Sequence, residues 1–148
     1  MKGKIAYIPQ ARTLEFHEFD LPEVEPGAIL AQVTRTNICG SEVHMWRGEF
    51  GKRGVMPGHE MVGRVYKLGK GVTTDTAGQP LKEGDRIALE EYMPCGVCDI
   101  CRAGDFRFCP QTDVSLGGRR LFYGSTPVDE APALYGGFSE YLYLHPNA

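Results

Sequence analysis

The stretch Cys95-Gly-Val-Cys98-Asp-Ile-Cys101-Arg-Ala-Gly-Asp-Phe-Arg-Phe-Cys109 holds four of the chain's five cysteines. Gaps of two, two and seven residues separate them. Two-residue gaps let neighbouring thiolates turn back onto one centre, and a closed shell of four thiolates suits a structural zinc, with sulfur about 2.3 Å from the metal. Disulfides would need an oxidising compartment, and iron–sulfur clusters usually show other spacings. The stretch favours zinc over these two alternatives, and we place the zinc lobe at residues 91–112.

The composition is that of one domain of ordinary size. The chain has 148 residues, which is long enough for a hydrophobic core. Its net charge of -3 argues against a nucleic-acid partner, including one bound by the zinc lobe. The first apolar run is short and broken by Pro9, unlike a signal peptide, and no stretch approaches the length of a membrane span. We therefore expect a cytoplasmic protein without a membrane partner. In that reducing compartment, clustered cysteines bind metal more often than they form disulfides.

Short segments with alternating apolar residues are separated by turns rich in glycine and proline, which is typical of strands. Strands are predicted at residues 4–8, 13–19, 29–38, 61–68, 86–92 and 138–144. A short helix is predicted after Gly40, with Ser41 as its N-terminal cap. The pattern predicts a mainly β fold, a small closed or partly open barrel with few short helices and the inserted four-cysteine lobe.

A second group of reactive residues lies earlier in the chain. Cys39 is followed by Ser41 and His44, and the pair His59-Glu60 comes one loop later. A catalytic zinc takes about three protein ligands and keeps one position open, and Cys, His and a carboxylate form a suitable set. A hydroxyl beside an imidazole offers a path for a proton. A lone cysteine at a strand end is often only a small buried apolar residue, so spacing alone leaves the catalytic and the structural interpretation equally open.

Three motifs in this order resemble a known family. They are Asn37-Ile-Cys-Gly-Ser-Glu-Val-His44, then Pro57-Gly-His-Glu60, and then Gly84-Asp-Arg-Ile87 followed by the cysteine lobe. Together they resemble the catalytic domain of zinc-dependent medium-chain alcohol and polyol dehydrogenases. The resemblance runs from about residue 29 to the end of the chain. It implies a GroES-like, partly open β-barrel.

The resemblance also implies a role for each residue of the second group. Cys39 and His59 would bind a catalytic zinc, with Glu60 as a nearby carboxylate that either supports or exchanges with the ligands. Ser41 would hydrogen-bond the substrate oxygen, and His44 would continue the proton relay through the cofactor ribose. The four cysteines of the lobe would hold a structural zinc. Hydride would pass between the substrate carbon and the nicotinamide of NAD or NADP.

In this family a doubly wound nucleotide-binding domain follows the barrel. We therefore expect such a domain, and a further ligand of the catalytic zinc, downstream of residue 148, and we expect residues 1–148 alone to be inactive. The expected substrate is a small alcohol, polyol or carbonyl compound, and the expected full-length assembly is a dimer or tetramer. The alternative hypothesis is a non-catalytic, zinc-stabilised barrel that serves as a binding or assembly module.

Overall fold

The computed structural model describes residues 1–51, 54–111, 123–129 and 131–146. This part of the chain is mainly β with short helices, which confirms the predicted fold class. None of its helices has the length and hydropathy needed to cross a bilayer. The elements in chain order are β1 (Lys2–Tyr7), β2 (Glu15–Asp20), β3 (Ile29–Thr36), α1 (Gly40–Arg47), β4 (Met61–Leu68), β5 (Arg86–Ala88), α2 (Asp99–Arg102), a 3-10 turn (Phe106–Phe108) and β6 (Tyr141–Leu144).

Two sheets form the barrel. One has four antiparallel strands in the order β5-β4-β3-β6, and the other is the antiparallel hairpin of β1 and β2. Backbone hydrogen bonds join them, because the Ala6 N–H donates to the Phe138 carbonyl at 2.8 Å and the Glu140 N–H donates to the Lys4 carbonyl at 2.9 Å. The hairpin therefore continues the larger sheet through the segment that precedes β6.

The core lies between the inward faces of these strands. In β4 the buried residues Met61, Gly63 and Val65 alternate with exposed neighbours, as the two-residue period of a strand requires. Gly63 faces β3 so closely that a β-carbon there would lie 2.5 Å from the Gln32 carbonyl oxygen. Other fully buried core residues include Ile5, Leu30, Met56, Met93, Tyr123, Leu134 and Leu142.

Three predicted strands are shorter in the structure, because their ends make other hydrogen bonds. β3 ends at Thr36, since the Asn37 N–H donates to the Glu60 carbonyl at 3.0 Å. β5 ends at Ala88 instead of residue 92, and the Glu91 carbonyl accepts from the Tyr123 N–H at 2.8 Å. β6 starts at residue 141 instead of 138, because the preceding residues bond to β1. β4 has the predicted bounds.

Candidate functional site

The four cysteines of the lobe come together as one cluster. All four sulfur atoms lie within 4.8 Å of one another, and the Sγ atoms of Cys95 and Cys101 are 4.0 Å apart. All are free thiols. Four thiolates placed tetrahedrally at about 2.3 Å from a zinc ion have sulfur–sulfur distances of about 3.8 Å. The donor set and its spacing therefore fit a closed zinc shell. The last residue assigned to the lobe, 112, lies outside the described residues.

Local backbone geometry creates this cluster. The helix α2 begins directly after Cys98, whose sulfur accepts from the Cys101 N–H at 3.4 Å. The Cys95 sulfur accepts from the Cys98 N–H at 3.4 Å, and the Cys109 sulfur from the Cys95 N–H at 3.3 Å. N–H donors aimed at sulfur stabilise thiolates over thiols. The lobe is therefore prepared for negative charge, which a bound cation would neutralise.

The pKa values of Cys95 and Cys101 reflect these hydrogen bonds and the crowding of the sulfur atoms. Hydrogen bonds from the backbone of Val97 and Cys98 lower the pKa of Cys95 to about 6. Partial burial and the neighbouring thiol of Cys98 raise the pKa of Cys101 to about 12. Four crowded sulfurs cannot all ionise without a cation between them, so zinc binding has to release protons from this cluster.

The second group is built around the first turn of α1. Cys39 is the residue that caps this helix, and the helix itself begins at Gly40. The prediction that Ser41 caps the helix is therefore wrong. The physical reason is the carboxylate of Glu42, whose Oε2 accepts from the Cys39 N–H at 2.8 Å and fixes the helix start two residues earlier than a Ser41 cap would. This is the reciprocal half of a capping box, here closed by a glutamate three residues after the cap.

Glu42 also holds the histidine. Its Oε1 lies 2.6 Å from Nδ1 of His59 and accepts from the Gly58 N–H at 3.3 Å. Glu42 is only 3% exposed. A carboxylate at Nδ1 places the ring proton there, which leaves the Nε2 lone pair free for a metal. Because both oxygens of Glu42 already accept N–H groups, its role is to orient Cys39 and His59.

Gly58 makes the close approach of His59 to α1 possible. Gly58 has a φ of +97°, and a β-carbon there would lie 2.6 Å from the Phe138 backbone nitrogen. Only a residue without a side chain fits this conformation and this contact. The chain therefore passes close to the segment before β6 and presents His59 toward α1.

Cys39, Glu42 and His59 form a compact group of possible ligands. Their donor atoms lie within 4.8 Å of one another. A thiolate and an imidazole nitrogen are the ligands that zinc prefers, and three protein ligands with an open fourth position define a catalytic site. The residues present therefore fit a zinc ion, with Cys39 and His59 as direct ligands.

Ser41 and His44 lie on the same helix, one turn apart. The hydroxyl oxygen of Ser41 is buried and has no hydrogen-bond partner among the described residues. Nδ1 of His44 lies 2.5 Å from the Glu49 carboxylate, and both side chains are about half exposed. The His44 ring is thus oriented from one side, and its other nitrogen remains available.

The carboxylates near Cys39 and His59 differ from the one predicted from the sequence. Glu60 is exposed and is not part of the group around Cys39, so its role stays a prediction. Glu42 was missed, although its position three residues after Cys39 is the spacing of a capping box. Glu91 was also missed, and its carboxylate lies 4.0 Å from Nε2 of His59. No sequence pattern signals Glu91, because the fold alone brings residue 91 to residue 59.

Comparison with known proteins matches residues 25–148 to the alcohol dehydrogenase GroES-like domain. The chain is 33% identical over 138 residues to the probable alcohol dehydrogenase of Mycobacterium tuberculosis, covering 93% of the chain and 35% of that protein. It is 38% identical over 102 residues to the probable D-xylulose reductase A of Aspergillus terreus, covering 65% of the chain and 27% of that protein.

A solved structure shows the same fold. An alcohol dehydrogenase from Thermotoga maritima superposes with a TM-score of 0.80 at 30% identity, over 99% of this chain and 39% of that one. The chain thus spans about a third of the length of the relatives that it matches. These matches confirm the GroES-like fold expected from the sequence.

Proposed function

Because this chain belongs to the family of alcohol dehydrogenase GroES-like domains, we propose that it is the catalytic-domain portion of a zinc-dependent oxidoreductase. The full-length enzyme transfers hydride between an alcohol or polyol, or the corresponding carbonyl compound, and NAD or NADP. The geometry around α1 carries this proposal. A thiol, an imidazole whose Nε2 is not bound by Glu42, and a buried hydroxyl with no hydrogen-bond partner among the described residues lie on or beside one helix turn.

The chain's own residues perform distinct tasks in this proposal. Cys39 and His59 hold the catalytic zinc, and Glu42 fixes both through the Cys39 N–H and the His59 Nδ1. A zinc ion with an open position supplies Lewis acidity toward an alcohol or carbonyl oxygen. The lobe of Cys95, Cys98, Cys101 and Cys109 holds a second, structural zinc.

Proton transfer falls to Ser41 and His44. The Ser41 oxygen is buried with no partner in the described part of the chain, which costs free energy unless a ligand supplies the hydrogen bond. A substrate hydroxyl is a suitable partner, because Ser41 can accept its proton while donating its own. His44 is oriented by Glu49 and half exposed, so its second nitrogen can pass the proton on to the cofactor ribose and solvent.

We propose that a doubly wound nucleotide-binding domain follows residue 148 in the full-length enzyme, and the length of the relatives supports this. We also propose a cytoplasmic location, which rests on the sequence pattern of the chain, and a dimeric or tetrameric assembly, which rests on the family resemblance. Gel filtration of the full-length enzyme tests the assembly.

The non-catalytic binding module is the weaker hypothesis. A barrel that only binds partners does not need a histidine fixed by a buried carboxylate, nor a buried hydroxyl that no other described residue hydrogen-bonds. The zinc lobe would serve either function, so the group around α1 is the feature that distinguishes them.

The test is mutation of the two ligands in the full-length enzyme. Cys39→Ser and His59→Ala should abolish turnover of alcohols with NAD or NADP in a protein that is still folded by circular dichroism, although His59→Ala also removes a partner of the buried Glu42 carboxylate and should lower the melting temperature. His17→Ala is a matched control, because His17 is an exposed histidine on β2. Wild-type turnover in either ligand variant would refute the proposal.

A further inference from the structure

The chain reverses its direction directly after α1 and returns to His44. Gly48 ends the helix with a φ of +81°, the left-handed conformation of a helix C-terminal cap. Its N–H donates to the Met45 carbonyl at 3.0 Å. The Glu49 N–H donates to the His44 carbonyl at 3.1 Å. This turn brings the side chain of Glu49 back over the last turn of the helix, beside the ring of His44.

The returning segment holds the His44 ring from two sides. Oε2 of Glu49 lies 2.5 Å from Nδ1 of the ring. The Phe50 ring lies beside the imidazole, with 5.9 Å between the ring centroids and an interplanar angle of 35°. The other oxygen of Glu49, Oε1, lies 3.8 Å from Nη1 of Arg47. Each oxygen of Glu49 therefore faces a different group, which keeps the carboxylate turned toward Nδ1.

A hydrogen-bond acceptor at one ring nitrogen decides which neutral form a histidine takes. A neutral imidazole carries its proton on either nitrogen, and the partner of one nitrogen fixes the role of the other. Glu49 keeps the proton of neutral His44 on Nδ1, so the lone pair lies on Nε2. With the opposite tautomer, Nε2 would already carry a proton and could not accept another one.

We propose that Glu49 is a positioning residue of the proton relay, which fixes the Nδ1–H tautomer of His44 and so leaves Nε2 as the acceptor. This inference rests on the proposed function, because the relay through Ser41 and His44 is part of it. Glu49 touches neither substrate nor cofactor in this role and acts only through the imidazole. A carboxylate that holds the histidine of a hydrolytic triad in its correct tautomer has the same task.

Nuclear magnetic resonance of the 148-residue chain tests the tautomer directly. At a pH where the rings are neutral, their carbon and nitrogen chemical shifts distinguish the two tautomers, and His44→Gln identifies the signals of His44. Glu49→Ala removes the acceptor, whereas Glu49→Gln keeps an acceptor oxygen without the charge. Glu15→Ala is the matched control, because Glu15 lies 3.8 Å from His17 in another exposed pair.

The expected result is that neutral His44 carries its proton on Nδ1 in the wild type, in Glu49→Gln and in Glu15→Ala. Glu49→Ala should instead give a mixture of the two tautomers. A proton on Nε2 in the wild type would overturn the proposal, and so would an unchanged tautomer in Glu49→Ala. Circular dichroism shows that each variant is folded.

Turnover in the full-length enzyme tests the consequence for the relay. Glu49 and His44 are both about half exposed, and the coupling of such a pair corresponds to at most about a fivefold ratio. Glu49→Ala should therefore lower kcat about two- to fivefold, with KM for the alcohol close to that of the wild type, and Glu49→Gln should recover most of the loss. Wild-type kcat in Glu49→Ala would overturn the proposal.

A double-mutant cycle shows whether Glu49 acts through the histidine. In a His44→Gln background, Glu49→Ala should lower kcat no further, because its effect passes through the lost imidazole. An equal loss of kcat in that background would overturn the proposal, since Glu49 would then act through another group.

Failure of this inference is distinguishable from failure of the proposed function. If the tautomer of His44 does not depend on Glu49, the inference fails, while turnover by the wild-type enzyme still supports the proposed function. If the wild-type full-length enzyme turns over no alcohol with NAD or NADP, the proposed function fails, whichever tautomer His44 has.

Discussion

Replacement of Glu42 by glutamine is the sharpest test of the site's architecture. Glu42 accepts N–H groups from Cys39 at 2.8 Å and from Gly58 at 3.3 Å, and its Oε1 is 2.6 Å from Nδ1 of His59. Glutamine has the same shape but only one acceptor oxygen, because its second group is an NH₂ donor. If the oxygen stays at the Cys39 N–H, the NH₂ group faces Nδ1–H of His59.

Two outcomes are open to His59 in the Glu42→Gln variant, and both have a cost. A buried N–H donor without an acceptor destabilises the fold by about 1–3 kcal/mol. Alternatively, the histidine changes tautomer, accepts from glutamine at Nδ1 and carries its proton on Nε2. That tautomer cannot bind a metal until the proton moves, so the metal affinity falls about 10–100-fold, as for other groups that orient a ligand. This is about 1.4–2.8 kcal/mol of binding free energy.

The assay combines thermal unfolding of the metal-free chain with cobalt titration at the Cys39 site. At about 2–4 °C per kcal/mol for a chain of this length, the larger stability loss lowers the melting temperature by several degrees. Glu49→Gln is the control, because Glu49 also pairs with a histidine, His44, but both are about half exposed. An exposed pair is worth only about 0–1 kcal/mol.

Wild-type behaviour of Glu42→Gln in both measurements would show that Glu42 does not fix His59. The same follows if Glu49→Gln lowers cobalt affinity as much as Glu42→Gln, since the effect would then not come from fixing His59. A loss of stability with unchanged metal affinity would contradict the tautomer argument and leave Glu42 a purely structural residue.

Three further predictions concern other parts of the fold. Cys98→Ser should lose the lobe zinc and unfold at a lower temperature than the zinc-bound wild type, because an opened shell loses metal-linked stability; elemental analysis showing unchanged zinc would contradict this. Gly63→Ala should destabilise the chain by about 1–3 kcal/mol in urea unfolding through overpacking against β3, whereas Gly40→Ala meets nothing within 4 Å and should not. The hydrogen bond from Tyr7 to the Glu15 carboxylate raises the pKa of Tyr7, so stability is fully present below the ordinary tyrosine pKa near 10 and is lost as pH rises through the higher folded value. Tyr7→Phe should remove that alkaline loss, and equal pH profiles for the two proteins would argue against it.

The sequence allowed the lobe to be predicted because its geometry is local. Two-residue gaps and a helix that starts after Cys98 bring four sulfurs together within fifteen residues, without information about the rest of the chain. The alternating strands were predicted for the same reason, and β4 has the predicted bounds. The strand ends were predicted less accurately, because they depend on distant partners. One such partner is the Tyr123 N–H, which donates to the Glu91 carbonyl.

The candidate site was harder to predict than the lobe, because its ligands come from separate segments of the chain. Cys39 and His59 were identified by motif, yet the carboxylate that connects them, Glu42, was overlooked in favour of Glu60. Glu60 follows His59 directly, and adjacent residues of an extended chain point in opposite directions. Proximity in sequence therefore drew attention to Glu60, whose role stays a prediction, whereas the helical turn between Cys39 and Glu42 places the Glu42 carboxylate beside the histidine.

The segment after β5 also makes contacts that its sequence does not reveal, since Glu91 Oε2 lies 4.0 Å from Nε2 of His59. Because β5 stops at Ala88, the next residues leave the sheet and run past His59 before they enter the cysteine lobe. Only a few residues therefore separate Glu91, at the start of the lobe and beside His59, from Cys95, the first of the four clustered cysteines. If zinc in the lobe fixes this connection, it also fixes the position of the Glu91 carboxylate relative to Nε2 of His59. We therefore predict that removing the lobe zinc by Cys98→Ser weakens cobalt binding at Cys39, while His17→Ala does not. Equal cobalt affinity in a folded Cys98→Ser chain would show that the two sites are independent.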